Sequence, residues 1–351
     1  MDITTILSTD SCQLEPNFIS RIKLAYRLAL AIQSTENEEG MWMGLNARKQ
    51  DVHFALLNES DALVYILARP GDTDLFCGFE NCFSECINTM RGLEPDMLKA
   101  AGEAVYSDLI LLAEAIGAKR RRNQEQPNAP GAILAHARLH INELLSDIER
   151  VLGCPLQFPN PFPDEFGVQT RAGLISYRAL QAVYQALRVN QLAKKYGGRV
   201  LEIGAGLGRT AYFSRHLGLT DYTIVDLPLT GVAQAAFLGS VIPCSEIILT
   251  GEANKPQGLG KGVRIISPEQ FFSEGREYDV VLNVDSLTEM PKTIAMQYAS
   301  FARLNANVLL SINHEVNTFT VADLEALAGT LISRHPYWMR EGYVEEVFVF
   351  D

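Results

Sequence analysis

Residues 200–208 read VLEIGAGLG, an apolar run that ends in glycines at 204, 206 and 208. Such a run is a strand buried on both faces. Glycines at alternate positions let the backbone bend sharply and approach a ligand with no Cβ in the way. A helical pattern follows from Thr210 to about Leu217. A strand that enters a helix through such a bend belongs to a doubly wound α/β sheet, whose ligands sit at the carboxyl ends of the strands. The spacing G-x-G-x-G is not the dinucleotide fingerprint G-x-G-x-x-G, because Arg209 stands where the third glycine would be. Glu202, two residues before the first glycine, would repel a pyrophosphate and suits a ligand that carries an ammonium and a sulfonium. A nicotinamide dehydrogenase is disfavoured on both counts.

The rest of the C-terminal half repeats the alternation of short apolar runs and helical patterns. Residues 222–226 form a second strand that ends in Asp226, 24 residues after Glu202. A carboxylate there is placed to accept both hydroxyls of a ribose as a bidentate pair. Residues 264–269 give a third strand and its loop, 278–285 a fourth, and the segment ending at His314–Glu315 a fifth. Two final candidates, 337–343 and 344–350, are separated by only a tight turn and predict an antiparallel hairpin at the end of a mostly parallel sheet. The first 150 residues instead read as helical, with apolar positions at helical spacing over 18–32 and 141–152 and further helix candidates at 50–67, 82–91 and 95–117. Pro159, Pro161 and Pro163 interrupt this pattern and forbid a helix. The domain boundary is expected here: a helical N-terminal domain over 1–157 and a Rossmann-like domain over 158–351. From Thr170 to about Tyr196 the pattern is again helical, stopping at Gly197 and Gly198.

Bulk properties narrow the partners. A net charge of −12 disfavours nucleic acid, whose phosphates select basic surfaces. The one basic run, Lys119–Arg122, reads as a solvated helix end. No apolar stretch is long enough for a membrane span, and the first residues lack a signal-peptide pattern, so a cytoplasmic protein is expected. Cys12, Cys77, Cys82, Cys86, Cys154 and Cys244 show no CxxC pair and read as reduced thiols. His136 and His140 share a helical face with Glu143, read as a solvated or interface face and not as a metal site. The glycines at 258, 260 and 262 read as a surface loop, since no strand leads into them and no GK[ST] follows. No metal is required by any spacing.

The glycine bend, its flanking acid, the acid at the end of the second strand and the terminal hairpin together resemble the class I S-adenosylmethionine-dependent methyltransferases over residues 198–351. The resemblance implies S-adenosylmethionine as cofactor. It places Glu202, Gly204, Ala205, Gly206 and Gly208 around the methionine part and Asp226 with Leu227 at the ribose. Asn283, Asp285 and Ser286 would lie at the end of the fourth strand, beside the transferring methyl. The stretches FGVQTRAGLISYRALQAVY, IVDLPLT, NVDSLTEM and LLSINHE further resemble a bacterial family of sugar O-methyltransferases over residues 160–320. That resemblance implies a small-molecule acceptor, a hydroxyl of a sugar or glycosylated metabolite.

An alcohol must lose its proton to attack, so a base is expected near the acceptor. His314, at the end of the fifth strand, is the first candidate, with Asp285 and Glu289 as competitors. Tyr177 and Arg178 are candidates for the helix that covers the cofactor. The N-terminal domain is expected to cover the acceptor side or to form a homodimer contact. The rival readings are methylation of a polyketide or phenolic oxygen, and a binding protein that keeps the fold without catalysis.

Overall fold

The computed structural model describes residues 5–8, 13–33, 41–58, 61–119, 140–252 and 262–350. Cys12, Arg120–Arg122, His136 and residues 258–261, all singled out above, lie outside them.

The helical N-terminal reading has its counterpart in α1 (Pro16–Ile32), α2 (Met41–Ala47), α3 (Gln50–Leu57), α4 (Ala62–Ala68), α5 (Ser84–Arg91), α6 (Pro95–Ala115) and α7 (Ile141–Leu152). The single helix expected over 50–67 is thus two, α3 and α4. A short strand, β1 (Thr5–Leu7), precedes them.

Beyond the prolines the structure departs from the expected long helix. Residues 166–175 form a hairpin, β2 (Phe166–Thr170) and β3 (Gly173–Ile175), and β1 pairs with β2 to complete a three-stranded sheet. Gly173 has φ +106°, and a Cβ there would lie 2.3 Å from the Phe158 carbonyl oxygen, so only glycine fits the turn. Helix α8 (Tyr177–Tyr196) starts one residue later, where the Ser176 hydroxyl accepts from the Ala179 N–H.

The main sheet contains β4 (Arg199–Ile203), β5 (Asp221–Val225), β6 (Ile247–Leu249), β7 (Gly262–Ile266), β8 (Val280–Val284), β9 (Val308–His314), β10 (Leu331–Pro336) and β11 (Tyr343–Val349). Their order is β10-β11-β9-β8-β4-β5-β7-β6, and β11 is the one strand that runs against the rest. This is the Rossmann-like methyltransferase sheet, with a short extra strand, β6, at one edge. Helices α9 (Arg209–His216), α10 (Pro228–Val241), α11 (Pro268–Glu274) and α12 (Lys292–Asn305) cover its faces. The central strands are therefore buried and mostly apolar, with Glu202, Asn283 and Asn313 as polar exceptions near their carboxyl ends. The terminal hairpin is displaced from its expected place: β10 precedes Tyr337, and residues 337–342 are the connecting loop. The reason is exposure. Strand β10 is an edge strand whose residues are mostly solvent-facing, so it lacks the apolar signature that marked the others.

The N-terminal helices are packed directly on this sheet. Gly239 of α10 lets α1 approach so closely that a Cβ would fall 2.3 Å from the Phe18 ring. Arg21 of α1 donates to Glu252 (2.6 Å) and to the carbonyls of Cys244 and Ile247 beside β6. One hydrophobic cluster runs from Phe18, Val52 and Leu144 through Val183 to Val200 and Ile224. Among the described residues no helix is long and apolar enough to cross a membrane, and no group of three or more His, Cys, Asp or Glu side chains could hold a metal ion.

Candidate functional site

The three glycines adopt φ values of +69°, +54° and +85° and do different work. A Cβ on Gly204 would lie 2.3 Å from the Ser286 hydroxyl oxygen, so the bend is pressed against the end of β8. Gly206 faces the cleft, where a Cβ would meet only Phe79, at 3.6 Å. Gly208 turns away from the cleft: it caps α9 and backs onto Leu238. The cleft above the bend encloses about 1310 Å³ including its open mouth. Gly204, Ala205, Gly206, Glu202, Asp226, Leu227 and Ser286, the residues that the resemblance assigns to the cofactor, all line it.

Two of the expected contacts differ in detail. The Asp226 carboxylate already accepts from the Ala205 N–H (3.0 Å) and the Gln234 amide (2.6 Å) through Oδ2, and from the Leu227 N–H (2.8 Å) through Oδ1. A carboxylate offers about four acceptor directions, so one remains for a ribose hydroxyl. The bidentate grip expected from sequence would require Gln234 to let go. Burial pushes the Asp226 carboxyl up to about 6. Asn283 does not line the cleft. Its amide donates to the Ile203 carbonyl (2.9 Å) and to Ser286, and accepts from Asn313 (2.7 Å), so it braces the ends of β4, β8 and β9 from behind.

Glu202 is buried, accepts from the Tyr222 hydroxyl (2.8 Å), and is pushed up to about 8 by desolvation. A positive charge placed beside it would favour the carboxylate form.

Asp285 and Glu289 also line the cleft. Asp285 is a non-glycine residue at φ +57°, a left-handed conformation that costs energy and is held by Tyr343 (2.7 Å) and Arg340 (3.1 Å) on its Oδ2. Glu289 accepts from the Trp42 indole N–H (3.2 Å). Burial first, then the neighbouring Asp285 charge, pushes its carboxyl up to about 7. His314 is not brought to this cleft. Its ring meets the edge of Tyr343 (centroids 4.9 Å apart), and its Nδ1 accepts from the Val316 N–H at 3.2 Å. The antiparallel pairing of β9 with β11 sets His314 directly opposite Tyr343, and it is the Tyr343 hydroxyl that reaches Asp285.

Other residues at the site were not singled out by sequence. Trp42 and Phe79 stack at 6.4 Å and wall the cleft from the N-terminal segment. The Lys49 ammonium, fully buried, lies 4.9 Å from the Phe79 ring centre, and desolvation lowers it to about 8. Arg209, buried at the start of α9, is held between Glu80 (3.0 Å) and Glu165 (2.7 Å) and sits over the Phe237 ring. The pairing ties the N-terminal segment to the glycine bend. Helix α8 contributes Arg178, Gln181 and Gln185 to one wall. Arg178 Nε and Gln181 Nε2 are both buried with no hydrogen-bond partner, which marks a place for an acceptor-bearing ligand group. Only their spacing, a polar stripe at helical intervals on an otherwise apolar helix, hints at this in the sequence.

No protein-family model matches the chain, and no curated protein matches it. Similar solved structures include magnesium protoporphyrin IX methyltransferase (ChlM) from Synechocystis PCC 6803 with bound SAH, at 14% identity and TM-score 0.34, covering 50% of this chain and 86% of that one. The glycopeptide N-methyltransferase MtfA complexed with sinefungin is 14% identical, with TM-score 0.34, over 48% of this chain and 94% of that one. An O-methyltransferase family protein from Burkholderia thailandensis is 14% identical, with TM-score 0.33, over 73% of this chain and 97% of that one. The strand order, the reversed strand and the glycine bend define this chain as an α/β protein of the Rossmann-like methyltransferase fold.

Proposed function

We propose that this chain is an S-adenosylmethionine-dependent O-methyltransferase whose acceptor is a hydroxyl of a sugar or glycosylated metabolite. One observation carries the reading: a single cleft joins the glycine bend and its two acids, Glu202 and Asp226, to a half-buried carboxylate, Glu289. The residues fit the cofactor. Asp226 has an acceptor direction left for a ribose hydroxyl, and Leu227, Pro268 and Tyr298 provide apolar surface nearby for a base. Glu202 would take the carboxylate form beside an ammonium. The unpartnered donors of Arg178 and Gln181 suit a carboxylate. When bound, the cofactor supplies an electrophilic methyl group on a sulfonium.

The chain's own part is positioning and proton removal. Glu289, not His314, is the base this arrangement favours: it lines the cleft, and its carboxyl near 7 lets it take a hydroxyl proton at neutral pH. Asp285, oriented by Tyr343 and Arg340, would hold a second hydroxyl of the acceptor. Trp42 and Phe79 shut water from the cleft, the role the reading gives to residues 1–157. Incubation with methyl-labelled donor and a panel of sugar nucleotides and natural-product glycosides tests the reading. Label is expected on a carbohydrate oxygen as an alkali-stable ether. Label confined to polyketide or phenolic acceptors would contradict the sugar assignment, and label on none, despite donor binding, would contradict the transferase itself.

A further inference from the structure

Beside the cleft lies a second, open groove between α6 and the loop that joins β10 to β11, lined by Asp108, Leu111, Tyr177, Trp338, Arg340 and Glu341. The loop presents Trp338 rigidly. Its neighbours Tyr337 and Met339 are buried, Tyr337 against the Tyr184 ring at 5.5 Å, and the Tyr337 N–H donates to the Tyr343 carbonyl at 2.8 Å. Yet Trp338 itself is 55% exposed. The anchored loop thus fixes a large aromatic face at the surface of the groove, available to a ligand. Asp108, on the facing helix, is half-buried, and desolvation pushes its carboxyl up to about 6.

The groove is joined to the cleft at three points. Arg340 lines the groove and donates to Asp285 in the cleft. The Gln185 amide, in the cleft wall, reaches the Tyr337 hydroxyl (3.5 Å). Tyr177 lines the groove and the next residue, Arg178, lines the cleft. Arg340 thus stands between the groove and Asp285, where it could touch a molecule whose reacting hydroxyl sits by Asp285 and Glu289.

We infer that this groove is a carbohydrate subsite, which takes the sugar residues beyond the one that is methylated. The inference rests on the cleft being the methyl-transfer site. The chemistry of the lining selects the occupant. An aromatic face takes the C–H side of a pyranose, while carboxylates and a guanidinium take its hydroxyls. A purely apolar polyketide would cover the half-buried Asp108 carboxyl without offering it a hydrogen-bond partner.

The test is an array of mono- to tetrasaccharides probed with fluorescently labelled protein saturated with S-adenosylhomocysteine. Wild type is expected to capture some oligosaccharides and to hold them better than the corresponding monosaccharides. W338A is expected to lose at least tenfold of that capture, and Asp108→Asn about threefold, with S-adenosylhomocysteine affinity unchanged in both. Wild type that binds S-adenosylhomocysteine yet captures no oligosaccharide, or W338A that captures them equally well, would overturn the subsite and leave the cleft reading standing. Wild type that does not bind S-adenosylhomocysteine would remove both.

Discussion

Glu289→Gln is expected to slow methyl transfer by about two to four orders of magnitude, the range that a positioned general base supplies, while leaving S-adenosylhomocysteine affinity nearly unchanged. The glutamine keeps the shape and can still accept from the Trp42 indole, so the loss isolates proton removal. The pH dependence gives a second readout. Glu289 works only as the carboxylate, so wild-type turnover at saturating substrate should rise with pH through about 7 and then level off. The variant should lose this inflection. His314→Ala, in contrast, should retain turnover within a fewfold, because that ring lies on Tyr343 outside the cleft. A large loss in the histidine variant together with a mild one in Glu289→Gln would reverse the assignment.

Asp226→Ala is expected to weaken S-adenosylhomocysteine binding about 100-fold. Hydrogen bonds to a charged group contribute about 1.5–3 kcal/mol, and each 1.4 kcal/mol is about tenfold. Two effects combine: the ribose loses its acceptor, and Ala205 loses the carboxylate that fixes the glycine bend. Gln234→Leu keeps the carboxylate but removes the amide that donates both to it and to the Gly206 carbonyl of the bend, so a smaller loss, of about tenfold, is expected, by the net contribution of one charge-assisted hydrogen bond. Calorimetric titration checks both variants, and an Asp226→Ala affinity within threefold of wild type would contradict the ribose contact.

The sheet and its ligand end were legible in the sequence because their causes are local. A parallel strand buried on both faces is mostly apolar, and a bend open to a cleft at close quarters is bare, so 200–208 carries both signals. Strand β10 was misplaced because, exposed at an edge, it carries no such pattern. The pattern predicts a helix from Thr170, but 170–175 belong to the hairpin, whose strands are short and lead directly into α8. The acceptor end was only partly legible. Asp285 and Glu289 follow from their place after β8, but the surroundings on which the proposed choice of Glu289 over His314 rests are tertiary. Trp42 stands 247 positions away from Glu289 in the chain, and the β9–β11 register decides which ring faces Asp285. Arg209 illustrates the same limit. Its position broke a dinucleotide pattern, which sequence revealed; its burial between Glu80 and Glu165 depends on segments 129 and 44 residues away.

The central claim is that the bend and its acids hold a cationic nucleoside amino acid. Calorimetry of the wild-type protein with S-adenosylhomocysteine, with NADH as the comparison ligand, measures this most directly. Saturable heat at one ligand per chain for the former and none for the latter is the predicted result. Heat from NADH alone, or silence from both at a chain shown to be folded, would contradict it.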